Sequence, residues 1–263
     1  MWKRSTTCTS AAACTNKGAL HRRLIALLWL ACCMAGPSAH AERVTIYTNA
    51  TIGPLVIGER SGLYPELVAY LNRLKPGGTE FALVTMPRKR LQVELDSGKL
   101  DGIVIGMTPQ WVGDPAQEKF LWTEPFSSDG FVLVSHDASP YFFGQPSAPG
   151  ARIGVTLGYV YPGVDEWIAQ NKFARDDAPN EERNLDKLIR GRVDMVVVSE
   201  SVYRYYMRTH RATGGLLAEA LPGKPVERRL LLPKNRRDLY DKLAPAIHKL
   251  RDDPHWQRIQ AQY

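Results

Sequence analysis

Past residue 41 this chain has no cysteine at all. All four, Cys8, Cys14, Cys32 and Cys33, lie in the opening segment. Downstream, that excludes a disulfide framework, a thiolate metal site and a cysteine nucleophile. Long apolar runs are also missing. Leu24 to Met34 stops at 11 residues, where a membrane-spanning helix needs roughly 20. Excess charge of one sign is scarce as well. Without the first 41 residues, 222 remain, with 29 Lys and Arg against 27 Asp and Glu, a formal +2 where the whole chain carries +7. The basic balance therefore belongs to the opening segment and is no argument for nucleic acid. Catalytic signatures are lacking too: no Gly-x-Ser-x-Gly elbow, no His-Glu-x-x-His, no phosphate loop and no Gly-x-Gly-x-x-Gly. His136, His210, His248 and His255 are scattered without metal-ligand spacing and read as surface or capping groups.

The opening segment has a pattern of its own. It holds five cations, Lys3, Arg4, Lys17, Arg22 and Arg23, and no acid. The short apolar run follows, then small residues ending Ala39-His40-Ala41. That is the layout of a secretory signal peptide, with cleavage expected after Ala41. The exported remainder would suit an oxidising compartment, where a free thiol is a liability. Lipid attachment at Cys32 or Cys33 is not expected, because neither is preceded by the leucine and small residue such a signal prefers.

From Glu42 onward the pattern alternates between strands and helices. Val44 to Tyr47 reads as a strand. Pro65 is placed at the first position of a helix whose stripe is Leu67, Leu71 and Leu74, widened by Val68 and Tyr70 and ended by Pro76-Gly77-Gly78. Phe81 to Thr85 is a second strand, and Pro87 starts a second helix with Leu91 and Leu95 on one face. Phe131 to Val134 is a strand, followed by a Pro-, Ser- and Gly-rich loop from Ser139 to Gly150. Ile153-Gly154-Val155 opens another strand, and Gly158, Pro162 and Gly163 turn into a helix with Val164, Trp167 and Ile168. Asn180 is a candidate N-cap, with Glu181 and Glu182 placed where the helix dipole favours negative charge. Leu230 to Leu232 is a late strand. The end is helical, with a stripe of Leu239, Leu243, Ile247 and Leu250 that Pro245 and Pro254 should kink or divide.

The most informative feature is an internal echo. Leu95-Asp96-Ser97-Gly98-Lys99-Leu100-Asp101 leads into Ile103-Val104-Ile105. Leu188-Ile189-Arg190-Gly191-Arg192-Val193-Asp194 leads into Met195 to Val198, with Gly98 and Gly191 offset by 93 residues. In each, leucine packs a last helical turn, glycine takes the left-handed cap and the cation sits at the negative helix end. The apolar run that follows is a strand covered on both faces. An offset of this length predicts two similar α/β lobes and not a solenoid.

These pieces together resemble the family 3 periplasmic solute-binding proteins, the group that includes polar amino-acid receptors of ABC transporters. The match spans the chain after the opening segment. It is carried by Asn49 and Pro54, Gly62 to Leu67, Gly98 to Asp101, Gly106-Met107-Thr108, Trp122 to Phe126, Arg152 to Val155 with Gly158, Gly191 to Asp194, and Leu232-Pro233-Lys234. The resemblance implies an α/β, two-lobed periplasmic-binding-protein fold of type II, with a mixed sheet in each lobe and a two-strand hinge. Lobe 1 would be residues 42–127 with 231–263, and lobe 2 residues 130–229. It further implies a monomer that captures a small polar solute, amino-acid-like or another small anion, and hands it to the permease of an ABC importer. A signalling partner, or a periplasmic dehydratase with Glu124 or Glu200 as general acid, are the alternatives on the same fold. No cofactor, metal or nucleic acid is expected.

Aligned with those receptors, the ligand site would draw on Asn49, Ile52, Arg88, Gly106, Thr108, Trp111, Gly158, Tyr159, Ser199 and Glu200. Tyr161 lies on the same expected cleft loops. Two positions depart from the receptor pattern. The segment from Pro109 to Glu118, where the receptors keep a carboxylate-binding arginine, has none. Ser199 stands where they keep an ammonium-binding aspartate, with Glu200 beside it. An ordinary zwitterion would bury its ammonium without a partner there. Arg204-Tyr205-Tyr206-Met207-Arg208 reads as a solvated helix face.

Overall fold

The computed structural model describes residues 42–146, 149–161, 163–210 and 215–263. The opening segment, with its export signal and cysteines, lies outside the described residues, as does Pro162. The chain runs β1 (Arg43–Thr48), α1 (Leu63–Leu74), β2 (Glu80–Thr85), α2 (Arg88–Asp96), β3 (Ile103–Met107), β4 (Phe120–Trp122), β5 (Ser127–Asp129) and β6 (Phe131–His136). It continues through β7 (Arg152–Thr156), α3 (Val164–Asn171), β8 (Ala174–Ala178), α4 (Glu181–Ile189), β9 (Met195–Ser199), α5 (Glu200–Thr209), β10 (Leu216–Ala220), β11 (Val226–Pro233), α6 (Arg237–Leu250) and α7 (Pro254–Gln262).

The strands form two mixed sheets, ordered β2-β1-β3-β11-β4 and β10-β6-β9-β7-β8. In the first, β2, β1 and β3 are parallel and β11 is antiparallel to β3. In the second, β8, β7 and β9 are parallel and β6 is antiparallel to β9. The two sheets thus repeat one plan, and β3 and β9, the strands of the sequence echo, occupy the same place in it. Both helices before them end in a left-handed glycine, Gly98 at φ 65° and Gly191 at φ 63°. An added Cβ at either would meet nothing within 4 Å, so the backbone angle and not crowding selects glycine.

Both strands are buried along their whole length. Ile103 and Ile105 enter one apolar cluster while Val104 and Met107 enter another. Met195 and Val197 likewise separate from Val196 and Val198. Each sheet is therefore covered on both faces, which explains near-continuous apolar strands in place of alternation. The C-terminal stripe of Leu239, Leu243, Ile247 and Leu250, with Trp256, packs in the same cluster as Val44 and Ile46 of β1. Trp256 Nε1 also donates to the Phe126 carbonyl, at 3.1 Å.

Some local expectations are corrected. Helix α1 begins at Leu63, so Pro65 is its third residue, and Leu74 is exposed. Helix α6 runs through Pro245 as one element, and only Pro254 begins a new helix. The four buried stripe residues on both sides of Pro245 hold that helix together despite the missing donor. Strand β8, Ala-Arg-Asp-Asp-Ala at a sheet edge, escapes sequence reading because an edge strand need not alternate.

Candidate functional site

The chain leaves the first sheet through β5 and returns through β11. These two segments pair antiparallel, Asp129 opposite Val226 and Ser127 opposite Arg228, and so form the two-strand hinge. Their pairing places Asp129 and Arg228 side by side between the sheets. Arg228 Nη2 lies 3.2 Å from Asp129 Oδ2, and both side chains are about nine-tenths buried or more. The same nitrogen donates to Ser199 Oγ at 3.4 Å, and Nη1 donates to the Tyr64 hydroxyl at 3.4 Å. The guanidinium carbon also stands 5.7 Å from the centre of the Trp111 ring.

Two acids complete this cluster. Asp129 accepts from Ser201 N at 3.2 Å and from Ser201 Oγ at 2.6 Å. Glu181, buried at the start of α4, accepts from Ser199 N at 2.7 Å and from Ser199 Oγ at 2.9 Å. Burial raises the Glu181 pKa, and the Ser199 donors and the Arg228 charge only partly oppose it. For Arg228, burial works against the charge, but the neighbouring Tyr64, Asp129, Glu181 and Tyr159 outweigh it and raise its pKa.

Beside the cluster the structure brings together five of the residues expected at the site. Asn49, Arg88 and Trp111 come from the segments around the first sheet, and Gly158 and Tyr159 from the loop after β7. With Val160 they line one cavity. Asn49 Nδ2 donates to the Tyr159 hydroxyl across the gap, at 3.1 Å. The Trp111 and Tyr159 rings lie 6.1 Å apart with planes at 31°. Arg88 sits at the start of α2, donating to Gln92 Oε1 at 2.9 Å and to the Trp111 carbonyl at 2.7 Å. Burial lowers the Arg88 pKa, only partly opposed by Tyr159 and Asp96. Burial also pushes the Tyr159 phenol up to about 12, so it stays neutral and can accept from Asn49. The cavity encloses about 10 Å3, room for roughly one water.

The other expected residues lie elsewhere. Ser199 belongs to the hinge cluster, as described. Ile52 is buried. Gly106, at φ 80°, lets the Tyr64 hydroxyl approach to where a Cβ would be 2.0 Å away. Thr108 Oγ1 donates to Gln110 Oε1 at 2.6 Å. Glu200 pairs with Arg204 one turn along α5 and lines a separate cavity of about 240 Å3 beside Gly130 and Lys224. Tyr161 is buried in the second lobe's core, and its hydroxyl accepts from Thr156 N at 3.1 Å.

The structure does not place Glu124 in the dry cleft that a general-acid role would need. Glu124 is exposed and its carboxylate lies 2.8 Å from His248 Nδ1, which holds its pKa below the usual range. A group held ionised in water is a poor proton donor. Among the described residues no cluster of His, Cys, Asp and Glu is placed to hold a metal. In the segment that lacks the receptor arginine, Asp114 is buried instead. It binds the backbone N–H groups of Glu118, Lys119 and Phe120 and the Trp122 indole, and so fixes the loop.

Sequence reading missed Arg228, Asp129, Glu181 and Tyr64. Local pattern gives Arg228 and Asp129 no role, and it reads Glu181 as an ordinary first-turn acid. Only the crossing of β5 and β11, a long-range event, brings them into one cluster.

No family model matches the sequence, and no curated protein matches it either. Solved structures do. An ancestral arginine-binding protein bound to arginine superposes with a TM-score of 0.68 at 19% identity, covering 84% of this chain and 97% of that one. The substrate-binding protein of an amino acid ABC transporter gives a TM-score of 0.63 at 17% identity, over 84% and 98%. A histidine kinase sensor domain described as similar to periplasmic binding proteins gives 0.66 at 15%, over 85% and 96%. The chain has the two-lobed periplasmic-binding-protein fold. In that fold the cavity between Asn49, Arg88 and Trp111 on one side and Tyr159 on the other lies in the cleft between the lobes, next to the hinge. Other contacts also join the two lobes, away from this cavity. Tyr205 of α5 abuts Gly53, and Arg208 Nη2 donates to the Tyr263 carbonyl at 3.3 Å.

Proposed function

We propose that this protein is an exported solute-binding protein. It captures a small polar solute in the cleft between its lobes and presents the closed form to the permease of an ABC importer. The observation that carries the reading is the cleft itself, where side chains from opposite lobes meet over one cavity through the Asn49–Tyr159 hydrogen bond and the Trp111–Tyr159 ring contact. The role stated for the ABC-transporter neighbour supports the delivery step.

A solute larger than one water enters only when the lobes part, because the closed cavity is too small. Opening breaks the Asn49–Tyr159 bond and separates Trp111 from Tyr159. Reclosure is driven by whatever contacts the solute makes with both lobes at once. Nothing in this cycle needs a cofactor, and one chain supplies the whole cleft. Export would release a chain beginning at Glu42 into the periplasm.

Calorimetric titration of the purified protein against a panel of amino acids, carboxylates, sugars and inorganic anions tests the proposal. At least one solute is expected to bind at a ratio of one per chain. No heat with any member of the panel contradicts the reading.

A further inference from the structure

We infer that the captured solute is a carboxylate without an ammonium group, its charge held by Arg88 and its body lying against Trp111 and Tyr159. The inference rests on the solute-binding reading and adds the chemical class.

The argument is a balance of charges around the cleft. Asp129 and Glu181 are the acids of the hinge cluster, with one cation, Arg228, between them, and burial shifts Glu181 toward its neutral form. Arg228 pairs with Asp129 at 3.2 Å and reaches Glu181 through Ser199, whose hydroxyl accepts from Arg228 and donates to Glu181. A solute ammonium arriving here would meet one carboxylate already paired with a guanidinium and one that burial holds toward its neutral form. It would lose its hydration without gaining a partner.

Arg88 is the opposite case. Among the described residues it forms no ion pair. Its two described hydrogen bonds go to neutral acceptors, Gln92 Oε1 and the Trp111 carbonyl. The nearest acid along that route, Asp96, is reached only through Gln92, which donates to it at 2.7 Å. The pKa directions agree with this: neighbours raise Arg228, whereas burial lowers Arg88. A half-buried guanidinium lining a cavity without a counter-ion is a carboxylate-binding group. The flanking rings add an apolar wall on which a chain or flat group can lie.

Matched pairs that differ only in the ammonium test this: alanine against propanoate, valine against isovalerate, phenylalanine against phenylpropanoate. Each is titrated into the full protein and into Arg88→Gln and Arg88→Lys, with folding of the variants checked by circular dichroism. The carboxylate of at least one pair is expected to bind about tenfold tighter than its amino acid. Arg88→Gln should weaken it about thirtyfold, with Arg88→Lys between the two. Amino acids binding as tightly as their carboxylates, or Arg88→Gln binding within threefold of the parent, overturns the charge assignment and leaves solute binding intact. If neither these pairs nor the wider panel bind, the solute-binding reading falls and this inference falls with it.

Discussion

Arg88 and Arg228 are one side chain in two electrostatic settings. Arg228 belongs to the architecture: it comes from β11, is buried, and is answered by Asp129, Ser199, Tyr64 and Glu181. Replacing it by methionine leaves two buried acids without their cation, a loss of about 3–5 kcal/mol. The pH dependence of that loss follows from Glu181. Its folded pKa is raised, so the fold holds its proton more tightly than the unfolded chain does. Stability from this group is therefore lost as pH rises from about 4.3, the ordinary glutamate value, through the folded value. Arg228 limits the loss. In Arg228→Met it deepens, so the deficit against the parent should be largest at pH 7 and shrink towards pH 4. Urea melts at several pH values check this, and a deficit independent of pH contradicts the role given to Glu181. At this scale the sequence is only half legible. Arg88, Asn49, Trp111 and Tyr159 are candidates through the resemblance to the solute receptors, not through local pattern alone. Glu181, Asp129 and Arg228 are not, because their meaning depends on three segments far apart in the chain.

Among the elements, the parallel βα units were legible and the sheet edges were not. Glycine caps, leucine stripes and apolar runs are local physics, and they predict β1, α2, β3, α4 and β9 directly. Strands β4, β5 and β8 are short or polar, and these, with the edge strand β10, exist because a neighbour supplies their partners. The loop after β1 and helix α5 make the clearest test of closure at this scale. A Cβ on Gly53 would lie 2.2 Å from the Tyr205 ring, across the cleft and away from the cavity. Gly53→Ala should therefore penalise the closed form by about 1–2 kcal/mol and weaken solute binding roughly five- to thirtyfold. Trimming the opposing ring in the double variant with Tyr205→Ala should restore affinity, as titration of the three variants would show. Equal affinity in Gly53→Ala and the parent means that this contact plays no part in closure.

As a whole molecule, the protein is two copies of one α/β plan joined by two antiparallel strands. The 93-residue echo between Gly98 and Gly191 carries that repetition in the sequence itself. Export belongs to the same scale. Mass spectrometry of protein recovered from the periplasm should find a chain starting at Glu42, and recovery of the intact opening segment would contradict cleavage there. The central claim is mechanical: the cleft opens, admits a solute and shuts. Small-angle X-ray scattering of the purified protein, alone and saturated with a solute that binds, tests it most directly. The account predicts that the free protein scatters as a wider particle and that bound solute makes it measurably more compact. Identical profiles with and without a bound solute would contradict it.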